Sequence, residues 1–190
     1  MICKDCALFE QKLAFHTAPA LLGIKPSNLM SLDKEELDIY GNAESFNRRA
    51  AEKGLKIKIL CDCGKRCLVL LYNERLMKDM LSEKDRRRML ERFGYERSCG
   101  LEECLDRLAS RTQVCLEFPH EIGLFLGYPV SDVQGFISNH GQGFKLCGYW
   151  KVYSDADRAR RIFKNYDKCR AFLCNKLEQG YDIYQALKIS

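Results

Sequence analysis

Residues Leu55-Lys56-Ile57-Lys58-Ile59-Leu60-Cys61-Asp62-Cys63-Gly64-Lys65-Arg66-Cys67-Leu68-Val69-Leu70-Leu71-Tyr72 carry the clearest β signal in the chain. Leu55, Ile57 and Ile59 alternate with Lys56 and Lys58, the period of two of a strand with one buried face. Cys67 to Tyr72 is a continuous apolar run, the pattern of a strand covered on both faces. Between them Asp62-Cys63-Gly64-Lys65 supplies turn residues. Residues 55–72 are therefore expected to form a β-hairpin whose second strand lies nearer the sheet centre.

Upstream the pattern is helical. From Lys4 to about Phe15, Ala7, Leu8, Leu13 and Phe15 sit among charges in an amphipathic array, with Pro19 near the helix end or in the turn after it. Ser31 ahead of Leu32-Asp33-Lys34-Glu35-Glu36 has the form of an N-cap with acids in the first turn, predicting a helix over 33–40. A second helix from Ser45 to Glu52 should stop at Gly54, where the left-handed conformation is accessible. Downstream, helical spacing covers 73–81, 83–93 and 101–110, with Gly94 and Gly100 as breaks. Pro119 suits a first helical position and opens a short helix to about Leu126, and Pro129 opens another ahead of Gly141. Alternation resumes after Gly143. Phe144, Leu146, Trp150 and Val152 share one face and Lys145, Cys147, Tyr149, Lys151 and Tyr153 the other, predicting a third strand over 143–153. Ser154 or Asp155 then caps a long helix to Gly180, and a tail helix spans 181–188. No linker or repeat interrupts the chain. The expectation is one α+β domain over 1–190, with a small antiparallel or mixed sheet, hairpin 55–72 plus strand 143–153, covered by several helices.

The 190 residues are 46% hydrophobic and 30% charged, with 31 Lys and Arg against 26 Asp and Glu, a net charge of +5. That balance belongs to a globular protein and excludes disorder for most of the chain. The charged start Met1-Ile2-Cys3-Lys4-Asp5-Cys6 is unlike a signal peptide, and no run approaches the ~20 apolar residues that span a bilayer. A cytoplasmic protein with no membrane partner is expected, its eleven cysteines reduced rather than joined in a disulfide framework.

Two thiol spacings stand out: Cys3 and Cys6, and Cys61, Cys63 and Cys67. Thiolates at such spacings can hold zinc or an iron-sulfur cluster, although a closed four-cysteine site needs both groups to converge. The plainer expectation is that most of the cysteines pack as small hydrophobes. Glu117-Phe118-Pro119-His120-Glu121 has the Glu-x-x-His order of carboxylate metal bundles, but Pro119 should start the helix and leave Glu117 outside it. In the first turn, His120 and Glu121 lie beside free N–H groups, where a histidine can serve near a bound anion. His16 is a candidate partner for it. Eight Lys and Arg against three Asp between 143 and 170 account for the whole net charge. Tyr149 and Tyr153 beside Lys145 and Lys151 would make a basic aromatic platform able to stack on bases, though a pI near 8.6 falls short of a dedicated nucleic-acid binder.

His16-Thr17-Ala18-Pro19 with Gly23-Ile24-Lys25-Pro26-Ser27-Asn28-Leu29, then Phe118-Pro119-His120-Glu121-Ile122-Gly123-Leu124-Phe125-Leu126-Gly127-Tyr128-Pro129, and Gly148-Tyr149-Trp150-Lys151-Val152-Tyr153, together resemble an uncharacterised bacterial family of about this length, a domain of unknown function. The resemblance covers nearly the whole chain and implies a bacterial cytoplasmic protein of one domain, with no activity to carry over. Thr17 stands where the family often has a cysteine, and the hairpin cysteines lie outside the resembling segments. A shared site is therefore expected at the Pro119 helix start and the late aromatic strand. The leading expectation is a small-ligand, anion-binding or regulatory protein using His16, Glu117, His120, Glu121, Tyr149, Trp150 and Lys151. The alternatives are a metal or redox protein using Cys3, Cys6, Cys61, Cys63 and Cys67, and a nucleic-acid-binding module.

Overall fold

A computed structural model describes residues 4–114 and 118–189. Its centre is the expected hairpin, β2 (Leu55–Cys63) and β3 (Arg66–Asn73), turning at Gly64 with φ of +55°. β3 is the middle strand of three antiparallel strands, with β2 on one edge and β1 (Ser27–Asp33) on the other. The apolar run of β3 is explained by burial on both sides. Cys67, Val69 and Leu71 enter one core with α1 (Lys4–Leu21), α2 (Ile39–Arg49), α8 (Ala156–Glu178) and α9 (Ile183–Leu187). Leu70 and Tyr72 enter the opposite core with α3 (Glu74–Ser82), α4 (Lys84–Arg92), α5 (Leu101–Val114) and α6 (Ile122–Phe125). The fold is α+β, as the sequence predicts, with helices on both faces of the sheet.

Several local signals act where expected. Gly54 ends the turn after α2 at φ +64°, and Asp155 caps α8 through Arg158 N at 2.9 Å; Asn73, expected only as the first residue of a helical stretch, caps α3 through Leu76 N at 3.0 Å. Three expectations are corrected. The first helix runs on through Pro19 to Leu21. The proline's missing N–H removes a bond one turn from the helix end, where little helix remains to disrupt.

The helix expected over 33–40 is not formed. Ser31 to Asp33 complete β1, and the helix starts at Ile39 with Asp38 accepting from Gly41 N at 3.0 Å. β3 has two edges to satisfy, and Met30 and Leu32 reach the core only if this segment is extended. The strand expected over 143–153 is instead a tight hairpin of β4 (Leu146–Cys147) and β5 (Lys151–Val152), separate from the main sheet. The chain reverses through Gly148, where a Cβ would lie 2.3 Å from the Phe163 ring, so only glycine fits. α7 (Val130–Ser138) packs against this hairpin.

Candidate functional site

The loop around α6 is held rigidly. Gly127 adopts φ +73° against the Pro26 ring, and the buried Arg86 of α4 donates to Leu124 O at 2.8 Å and Tyr128 O at 3.1 Å. Tyr128 then stacks on Trp150, ring centroids 5.1 Å apart, and its hydroxyl donates to Tyr149 O at 3.0 Å. The proline-initiated segment and the late hairpin are thus neighbours in space.

Asp132 of α7 fastens them. Its Oδ2 accepts from Trp150 Nε1 at 2.7 Å, and its Oδ1 accepts from Tyr153 N at 2.9 Å and from Ser154 N and Oγ at 2.8 Å each. Burial pushes this carboxyl up, yet the four donors together outweigh burial and hold it below the usual carboxylate range. The charge of Asp132 is therefore balanced by oriented dipoles rather than by a cation.

A hollow of about 190 Å³ opens between these parts. Tyr128, Trp150, Phe136, Val133 and Ile122 form its walls, and Gly123 leaves room at its base. Phe118, His120 and Lys151 complete the lining. The His120 ring meets Phe136 edge-on at 5.3 Å. Lys151 Nζ donates to Gly141 O at 2.8 Å and lies 5.1 Å from the Phe144 ring centroid and 5.7 Å from that of Phe136. Among the described residues it has no carboxylate partner. The arrangement offers an aromatic box with one uncommitted cation in its lining, suited to a flat apolar body bearing a negative group.

The structure brings His120, Trp150 and Lys151 together and sends the other candidates elsewhere. Glu121, 0% exposed, turns into the core, where Oε1 accepts from Arg111 Nε and from Tyr95 Oη at 3.4 Å. Tyr149 faces away from the hollow, packed on Phe163 and Tyr166 with its hydroxyl on Asp167 at 2.9 Å. His16 is exposed on α1 and lines a separate hollow with Lys12, Phe15 and Cys174. Glu117 lies outside the described residues. Tyr128, Asp132 and Phe136 belong to the site and were missed, although Tyr128 stands in a resembling motif and Asp132 falls in the first turn after Pro129.

The cysteines and the late basic segment are arranged differently from expectation. Cys61 and Cys63 are joined in a disulfide, as are Cys99 and Cys104, so four cysteines depart from the expected reduced state. Cys67 is buried in β3, Cys6 lies on α1, and Cys3 is outside the described residues. Among the described residues no group of three or more His, Cys, Asp or Glu can hold a metal. The single strand face expected to carry Lys145, Tyr149, Lys151 and Tyr153 is interrupted by the chain reversal at Gly148. Tyr149 is packed against α8, whereas Lys151 lines the hollow. No described helix is long and apolar enough to cross a membrane.

A family model described as a protein of unknown function (DUF3793) matches residues 13–187. The chain belongs to this family. The match spans the sheet, α6, α7, the late hairpin and α8, so every described residue lining the hollow lies within the family's domain. No curated protein and no solved structure matches the chain.

Proposed function

We propose that the hollow between α6, α7 and the late hairpin binds a small aromatic or branched carboxylic acid. One observation carries this reading: the ammonium of Lys151, without a carboxylate partner among the described residues, stands in the lining of an aromatic-walled space. An apolar cavity of roughly 150 Å³ accommodates benzene, so about 190 Å³ suits a single ring with a short acidic substituent. The ring would stack within Trp150, Tyr128 and Phe136, and the carboxylate would meet Lys151 with His120 beside it. An anion held this way gains a charge-assisted hydrogen bond. The protein would then sense or carry such an acid.

Trp150 is the chain's one tryptophan, so its fluorescence reports the hollow directly. Titration with benzoate should give a saturable change with a Kd of about 1 mM or tighter. Benzamide, the same shape without the charge, should bind about tenfold more weakly, and Lys151→Met should cost benzoate a similar factor. A response that is not saturable, or one that Lys151→Met leaves unaltered, overturns the reading.

A further inference from the structure

The Cys99–Cys104 disulfide has chemical surroundings that the Cys61–Cys63 disulfide lacks. Cys99 precedes α5 and is half-buried, whereas Cys104, in the first turn and a half of that helix, is buried. From α4, Arg87 reaches over both sulfurs: Nη1 lies 3.4 Å from Cys99 Sγ and 3.6 Å from Cys104 Sγ, while Nη2 donates to Cys99 O at 3.2 Å. Arg87 makes no ion pair among the described residues. Its charge is therefore directed at sulfur. The first turn of α5 carries Glu102 and Glu103, and Glu103 Oε2 accepts from Gly100 N at 2.8 Å, so the guanidinium of Arg87 is the group that favours an anion at the sulfurs. By contrast, the residue between Cys61 and Cys63 is Asp62, an acid held by Lys34 and Tyr40.

We infer that Cys99 and Cys104 form a thiol–disulfide exchange site, with Cys99 as the sulfur that meets an external thiol and Arg87 as the group that stabilises the sulfur anions. The thiolate of a small thiol of the glutathione class attacks Cys99 Sγ. The Cys99–Cys104 bond breaks, a mixed disulfide forms at Cys99, and the electron pair leaves on Cys104 Sγ beside the guanidinium. A second external thiolate attacks the outer sulfur of the mixed disulfide. The external disulfide departs, Cys99 takes the electron pair, and protons from solvent complete two protein thiols. Two external thiols have been oxidised to one disulfide and the protein disulfide has been reduced. The reverse sequence, with an external disulfide as oxidant, restores it. Arg87 acts as a positioning and charge-stabilising residue in both directions, because each sulfur is within its reach.

The test uses the full-length protein equilibrated without oxygen in glutathione buffers of graded reduced-to-oxidised ratio, quenched by alkylation and mapped by peptide mass spectrometry. The Cys99–Cys104 pair should interconvert across that range, ahead of Cys61–Cys63. In Cys104→Ser, the pH profile of iodoacetamide alkylation at Cys99 should have its midpoint below the ordinary thiol value of about 8.5. Adding Arg87→Met should raise the midpoint and slow alkylation at pH 7 by about tenfold, and Arg87→Lys should restore part of the rate. A purely structural role for Arg87 would leave that profile in place. The inference is overturned if the pair stays in one state across every glutathione ratio, or if the midpoint does not move with Arg87. Should Arg87→Met fail to fold, the wild-type equilibrium and the Arg87→Lys profile still decide the matter.

Discussion

Replacing Lys25 by methionine should stabilise the protein at neutral pH, and by an amount that shrinks as pH rises. Lys25 is 3% exposed and has no acidic partner among the described residues. Its ammonium is flanked by the rings of Tyr128 at 5.2 Å and Tyr166 at 5.7 Å. Burial lowers its pKa from 10.5 to about 7. Between those values the unfolded chain keeps a proton that the folded chain has released, so stability rises with pH through this window. Integrating the difference gives a cost of about 4 kcal/mol at pH 7 and about 2 kcal/mol at pH 9. Methionine fills similar space without the charge and escapes that cost. The gap between Lys25→Met and wild type, measured by urea unfolding with disulfides intact, should therefore narrow by about 2 kcal/mol from pH 7 to pH 9. Other ionisable groups are common to both proteins and cancel in the difference. Tyr128 and Tyr166, which flank the amine, are pushed up to about 12 by burial and stay neutral throughout. A gap of constant size would refute the reasoning, since it would mean that the folded amine titrates at its ordinary value.

Asp132→Asn should cost about 2–4 kcal/mol, because the carboxylate satisfies four donors and an amide cannot accept from all of them. The fluorescence of Trp150 should also shift to longer wavelength as its indole gains access to water. The contribution of Asp132 is complete at neutral pH and is lost as pH falls below 3.8 through its lower folded value, so acid unfolding of the Asn variant should begin from a flatter profile. Gly127→Ala should lower stability by about 2 kcal/mol or more in thermal unfolding, since its Cβ would lie 2.7 Å from Pro26 at a φ of +73°.

Within the main sheet, local pattern was enough for one hairpin and insufficient for the third strand. Lys56 and Lys58 mark the face of β2 that pairs with the acids of α5 near its edge, and the unbroken run from Cys67 to Tyr72 marks β3 as buried on both faces. β1 was hidden because Ser31 and Asp33 serve equally well as helix-starting residues. Its extended form answers to the open edge of β3, a partner some 40 positions away. The late hairpin escapes a local reading for a related reason: its alternation continues across Gly148, and the Phe163 ring that admits only glycine there comes from α8, beyond the reach of the local pattern.

Chemistry followed the same division. His120, Trp150 and Lys151 stand in the motifs that pointed to the site, and the fold places them around one hollow. Glu121, adjacent to His120 in the chain, belongs to the core instead, because the helical turn points it toward Arg111 and Tyr95. Tyr149, adjacent to Trp150, packs with it on Phe163 of α8 but turns its hydroxyl to Asp167, away from the hollow. Glu121 opens a helical turn, where neighbours in sequence diverge by roughly 100°, and Tyr149 lies with Trp150 in the connection between β4 and β5, so adjacency in a motif does not imply a shared site.

By itself the amino-acid sequence determined the central hairpin, the double-sided burial of β3 and the caps at Gly54 and Asp155, since each depends on residues within a few positions of one another. Tertiary structure alone decided that Tyr128 stacks on Trp150, that Arg87 covers two cysteine sulfurs, and that Lys25 is enclosed without an acid. Those contacts join elements whose relative placement comes from packing on the two faces of the sheet, and periodicity along a chain reports which face a residue takes, not what the opposing surface will bring to it.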